Sequence, residues 1–139
     1  MQAQIQKGEL LGEVRGKIVT TTVKEITPFE IIFEQNQEGE FTGSRYSARD
    51  MSTTEIRQRI GGTYDWENKH IQRTKEGETI VINGHGTGEM TGPTTFKGNG
   101  EGLFMTQSPK LSWLNMMKGR VEFTGDVATG EIRGKTYSL

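Results

Sequence analysis

Histidine is the side chain that most readily exchanges a proton near neutral pH, and this chain has two, His70 and His85. At strand spacing His85 shares a face with Asn83 and Glu89, and the next predicted strand offers Asn99 and Glu101, so a general acid–base cluster can be drawn there. That face is otherwise polar, and solvent-exposed cross-strand pairs would look no different. His70 shares its face with Tyr64, Trp66 and Asn68. Turned inward, this face is a polar and aromatic lining able to orient a ligand; turned outward, it is a contact surface of the aromatic kind found at interfaces. The sequence leaves both readings open. His70 and His85 are therefore the candidates for catalysis, and Tyr64, Trp66, Phe104 and Trp113 the candidates for lining a ligand site.

Other chemistries find little to work with. The absence of cysteine removes thiolate nucleophiles, disulfides and cysteine zinc sites. A histidine metal site needs three or more converging ligands, and neither H-x-H nor H-E-x-x-H occurs, so no metal and no cofactor are expected. No G-x-S-x-G marks a serine nucleophile. "GHGTGE" lacks the spacing of a phosphate loop and is not followed by a helical pattern. A net charge of −1 and a pI near 6.2 give no electrostatic footprint for nucleic acid. Arg45, Arg49, Arg57 and Arg59 cluster in sequence, but Asp50 and Glu55 sit among them, which reads as a salt-bridged surface. "MQAQIQKGEL" has no signal-peptide h-region, and apolar stretches such as Ile31-Ile32-Phe33 are too short to span a bilayer. The expectation is a soluble, cytoplasmic protein with no membrane partner.

The elements that must position these residues are strands. Leu10, Gly12, Val14, Gly16 and Ile18 alternate with Glu13, Arg15 and Lys17, one face for the interior and one for water. Phe29, Ile31 and Phe33 alternate after Pro28. "QNQEGE" reads as a polar hairpin loop, with Phe41 to Arg49 returning. "SARDMSTTEIRQRIGG" breaks the rhythm: Ser52 to Glu55 has capping-box spacing, Ile56 and Ile60 share a helical face, and Gly61-Gly62 is a stop, so a short helix or irregular excursion is expected near 52–60. A hairpin about Lys75 to Gly77, a turn at Gly92-Pro93 and a tight turn at Ala128 to Gly130 follow. Apolar residues of the Leu, Ile, Val and Phe types make up about a fifth of the chain, near the floor of roughly 20% for a folded domain. The core must be thin.

Residues 82–104, "INGHGTGEMTGPTTFKGNGEGLF", carry two glycine stripes: Gly84, Gly86, Gly88 and Gly98, Gly100, Gly102. Both share a face with large apolar residues (Ile80, Ile82 and Met90; Phe96 and Phe104). Interior glycine packs nothing and loses backbone entropy on folding. Two accounts compete. The bare backbone can let a bent sheet close, or let a ring such as Trp66 or Trp113 lie flat on it; alternatively it can leave a cavity that a ligand fills. "KLSWLNMM" is apolar on both faces, with Leu111, Trp113 and Met117 on one and Leu114 and Met116 on the other. A strand of this kind has two partners, which predicts a homo-oligomer through residues 111–117.

From the glycine-spaced strand through Thr91-Gly92-Pro93, Gly98 to Phe104, Thr106 to Leu111 and Leu114-Asn115, the chain resembles a family of small uncharacterised bacterial and archaeal proteins. "GELLGEVRGKI" resembles that family's opening more loosely, while the chain ends "GKTYSL" where the family closes on a W-E-W-like tail. The resemblance implies no activity. At the level of architecture the pattern is similar to closed barrels of the lipocalin, allene oxide cyclase and dirigent type. The fold expected is all-β, a single closed or nearly closed antiparallel β-barrel of about eight to ten strands spanning residues 1–139. The function expected is binding of a small, largely apolar molecule; an isomerase or cyclase that shapes its substrate with few catalytic groups, or a filled structural oligomer, are the alternatives.

Overall fold

The period of two resolves into eight strands in the computed structural model, which describes residues 5–139. They are β1 (Leu10–Ile26), β2 (Glu30–Gly43), β3 (Ser47–Arg59), β4 (Thr63–Arg73), β5 (Thr79–Met90), β6 (Thr95–Thr106), β7 (Lys118–Asp126) and β8 (Glu131–Ser138). Each pairs antiparallel with the next, and β8 returns to β1, so the sheet closes as an up-and-down barrel. Closure is how an antiparallel sheet rids itself of sticky edges. The β1–β8 ladder ends at Lys17 opposite Glu131. Beyond it β1 continues beside β2 alone, through register shifts at Ile18/Thr20 and Val23/Glu25 that bend the strand.

Strand alternation puts the connections 44–46, 74–78 and 107–117 at one end of the barrel and 27–29, 60–62, 91–94 and 127–130 at the other. At the 60–62 end the β3–β4 turn needs Gly61 and Gly62, whose φ angles of 102° and 93° are open to glycine at no steric cost. The opposite end is stoppered. Leu111 and Leu114, both buried, pack with Leu11, Phe41, Ile80 and Phe104. Each such side chain taken fully out of water contributes about 1.5–3 kcal/mol. Backbone bonds from Phe104 N to Met117 O (2.9 Å) and from Met116 N to Phe104 O (2.8 Å) tie the stopper to β6.

Three sequence expectations are corrected. Residues 52–60 hold no helix: 47–59 is β3, paired along its length with β2 and β4. Its inward positions Asp50, Ser52 and Thr54 are buried and polar, so the alternation that normally betrays a strand is masked. "QNQEGE" is likewise strand within β2, with Gln35 buried inside, and the chain turns later, after Gly43. Residues 111–117 form a 3-10 turn at Ser112–Leu114 rather than a strand. Leu111 and Leu114 turn into the barrel end while Met116 is exposed.

Candidate functional site

The glycine stripes lie side by side, Gly84 opposite Gly102, Gly86 opposite Gly100 and Gly88 opposite Gly98. The bare floor this makes is covered by rings from neighbouring strands. A Cβ on Gly86 or on Gly100 would stand 2.7 Å from Cζ2 of Trp66, closer than real Cβ atoms approach. Tyr64 lies over Gly88 and Phe123 over Gly98. The polar ends of two rings are satisfied across the floor: Trp66 Nε1 donates to the Thr87 carbonyl at 3.1 Å and Tyr64 Oη to the Lys97 carbonyl at 2.7 Å. Burial, and after it the Glu89 carboxylate, holds the Tyr64 hydroxyl protonated above the usual phenol range. The ring account of the glycines therefore holds for Trp66, with Trp66 and Phe123 in edge-to-face contact at 5.4 Å.

The rings do not fill the barrel. A cavity of about 230 Å³ remains, lined by the aromatic rings of Trp66, Phe104 and Phe123 and by the polar side chains of Gln35, Asn68 and His70. At the far end its lining includes Phe41 and Phe104, which pack against the stopper. Towards the other end its lining reaches Gln58, Met90 and Val127, and the exposed apolar residues Ile26, at the end of β1, and Phe29 and Ile60, in the connections, lie at that end. The mouth is greasy and the stoppered end is tight.

The polar wall is built by β2, β3 and β4. Register places His70 opposite Ser52 and Asn68 opposite Thr54, which settles the face of β4 left open by the sequence: Tyr64, Trp66, Asn68 and His70 point inward. His70 Nδ1 is 2.8 Å from Asp50 Oδ1, and Asp50 is 4% exposed. Gln72 Nε2 donates to the other carboxylate oxygen, Oδ2, at 2.8 Å, and Tyr46 Oη donates to Gln72 Oε1 at 2.6 Å. Burial first and Asp50 second keep the Tyr46 phenol protonated well above its usual range, which is the state a donor to Gln72 requires. Each group in this chain of four fixes the next. Beside it Ser52 Oγ donates to Gln37 Oε1 at 3.1 Å, and Asn68 Oδ1 is buried without a hydrogen-bond partner.

Tyr64, Trp66, Phe104 and His70 thus meet at one cavity. Trp113 and His85 do not join them. Trp113 packs in the stopper, edge-on to Tyr46 at 6.2 Å with the Arg45 guanidinium 5.5 Å above it. His85 is on the outer, water-facing side, between Glu67 and Glu101. Sequence reasoning missed Asp50, Gln72 and Tyr46. Their signal was positional: Asp50, Ser52 and Thr54 share one parity, as do His70 and Gln72. Of the arginines expected in a surface cluster, Arg57 pairs with Glu30, Arg59 with Asp65 and Arg45 with Glu9, whereas Asp50, expected among them, is buried and Glu55 pairs with Lys24.

Among solved structures the whole barrel has counterparts. A conserved protein of unknown function from Rhodopseudomonas palustris superposes with a TM-score of 0.80 at 12% identity, over 99% of this chain and 100% of that one. A beta-barrel-like protein from Acinetobacter baumannii gives 0.79 at 16%, over 100% and 98%. This barrel is one that bacteria use in proteins of unknown function. An enzyme from Penicillium herquei is similar at a TM-score of 0.64 and 14% identity, over 99% and 100%. At such identities the likeness is one of fold. No family model matches the chain, and no curated protein does.

Proposed function

We propose that the barrel binds a small, largely apolar molecule that carries one hydrogen-bonding group. The observation that supports this most is the cavity itself, about 230 Å³ lined by both aromatic rings and polar side chains. A protein interior is normally packed without voids, and an apolar cavity of roughly 150 Å³ takes up benzene, so one substituted ring or two small fused rings would fit here. Asn68 Oδ1, buried and unpartnered, supplies an acceptor that a ligand N–H or O–H would satisfy. By analogy with closed barrels of the lipocalin, allene oxide cyclase and dirigent type, an eight-stranded barrel interior is wide enough to hold one small ligand, as in lipocalins. The protein is proposed to act in the cytoplasm, and any homo-oligomer through residues 111–117 would use the outer side of the stopper, where Met116 is exposed.

Native mass spectrometry of the purified protein, paired with a denaturing spectrum, tests both parts. An extra small mass that leaves on denaturation supports binding, and its absence together with no uptake of added one- and two-ring compounds would overturn it. The subunit multiple in the same spectrum decides the oligomer.

A further inference from the structure

We propose that His70 and Asp50 form a proton-transfer dyad, making the cavity a catalytic site for carbon acids: small ketones whose α-proton is removed and returned, with isomerisation as the natural outcome. This rests on the binding reading above and adds chemistry to it.

The argument starts from what is buried. An apolar core would be the simpler filling for this wall, because a carboxylate and an amide out of water are unfavourable unless fully paired. Yet Asp50 and Gln72 are 4% and 1% exposed, and their hydrogen bonds converge on the carboxylate: Tyr46 donates to Gln72, Gln72 to Asp50 Oδ2, and the His70 ring meets Asp50 Oδ1. The chain ends on an imidazole whose Nδ1 is taken by the carboxylate. Nε2 has no hydrogen-bond partner among the described residues, and the ring lines the cavity. A carboxylate at Nδ1 favours the tautomer with the proton on that nitrogen, leaves the lone pair on Nε2, and stabilises the imidazolium once Nε2 has taken a proton. That is the arrangement of a general base. His85, outside the barrel, has none of it.

The electron sink is next along the strand. Asn68 lies two residues from His70 on the same face of β4, and its amide makes no hydrogen bond among the described residues. In the step proposed, the Nε2 lone pair takes the α-proton and the C–H pair becomes the C=C of an enolate. The carbonyl π pair moves onto oxygen, where the Asn68 N–H donates. The imidazolium then returns its proton to the same carbon, or to the far end of a conjugated system, and the carbonyl re-forms. Atoms and charge balance with no second reactant. Here His70 is the catalytic base and Asp50 a positioning residue.

The test is hydrogen–deuterium exchange into 1-indanone, a small bicyclic ketone, followed by proton NMR in heavy water with the purified protein. Binding is read in the same tube from broadening of the aromatic signals. The expected result is α-exchange well above buffer, lowered ~100-fold or more in His70→Gln and unchanged in His85→Gln. Asp50→Asn places an NH2 group where either His70 Nδ1 or the Gln72 amide already donates, and should lower kcat while leaving KM in place, a split that mere loosening of the fold would not give. If His70→Gln does not fold, acylation of the His85→Gln protein with diethyl pyrocarbonate blocks the one remaining imidazole and must abolish exchange. Broadening with exchange no faster than buffer, or exchange indifferent to His70, overturns the dyad and leaves the binding reading standing. No broadening by indanone, cyclohexanone or 1-tetralone overturns the dyad, and no broadening by 1-indanol, whose O–H matches the Asn68 Oδ1 acceptor, overturns the binding reading as well.

Discussion

Phe96 lies across Gly125, its direct partner on β7, and the three atoms nearest to a Cβ at 125 would all belong to that ring. The relation is reciprocal, because Phe123 covers Gly98 two pairs further along, with the two rings 6.3 Å apart and edge-to-face. Gly125→Ala should therefore destabilise by overpacking, about 1–3 kcal/mol. Phe96→Leu shrinks the obstructing side chain, so the double variant should be destabilised by less than the sum of the two singles. Urea titrations of the four proteins measure the coupling. Strict additivity would mean that the ring is not what excludes the methyl group.

The two buried phenols set an alkaline limit. Tyr46 and Tyr64 both have folded-state pKa values raised above the ordinary phenol value, by burial first and by Asp50 or Glu89 second. A raised phenol pKa contributes stability that is intact below about pH 10 and is lost as pH climbs above it. Phenolate absorbance and circular dichroism followed together through alkaline pH should show these two residues ionising only as the barrel unfolds. Tyr46→Phe should flatten part of that dependence. Ionisation of both phenols in a fully native barrel would contradict their burial.

At the acid end Glu9 is the group to follow. Arg45 holds it with two hydrogen bonds, Nε to Oε2 at 3.0 Å and Nη2 to Oε1 at 3.2 Å. The Arg45 bond first, and the Gln6 backbone N–H second, lower the Glu9 pKa. A lowered carboxyl contributes stability above its unfolded value, about 4.3, and loses it as pH falls through the folded value. Thermal melts across that window should fall less steeply with acid in Glu9→Gln than in the wild type. Parallel curves would mean that the ion pair is too well solvated to matter.

Entry to the cavity should run past Val127. It is 50% exposed and also part of the lining, so Val127→Trp can narrow the mouth while changing stability by no more than about 0.5 kcal/mol. NMR line shapes of bound 1-indanone should report slower association with little change in chemical shift of the complex. Equal association rates would place the entrance elsewhere.

Much of the barrel could be read from residues 82–104 and 10–18, where apolar or glycine positions alternate with charged ones. The two strands that escaped, 35–40 and 52–60, fail for one physical reason. Gln35, Gln37, Asp50, Ser52 and Thr54 point inward, and a strand polar on both faces has no hydrophobic period to detect. Those same residues are the polar wall of the cavity. Local sequence logic gave way where polar side chains face the interior. The aromatic half of the site, Tyr64, Trp66 and Phe104, follows the apolar rule and was legible. Asp50, Gln72 and Tyr46 come from three separate segments and meet only through register, which one strand's spacing does not contain. The 111–117 segment misled differently: apolar residues on both sides fit a buried strand, but they equally fit a short turn pushed into the barrel end.

Seven of the eight strand pairings join neighbours in the chain, and only the seam between β1 and β8 joins residues more than a hundred positions apart. Seven hairpins can zip up at little entropic expense, whereas closing the ring spans about five further doublings of loop length, on the order of 3 kcal/mol at about 0.6 kcal/mol each. The seam is thus the natural last event in folding and the first to part. Substitutions there, such as at Val14 opposite Gly134, belong to the class that accelerates unfolding while leaving the refolding rate nearly untouched. The lifetime of the closed ring is set by that single line of contact, while the mouth near Val127 sets how anything inside comes and goes.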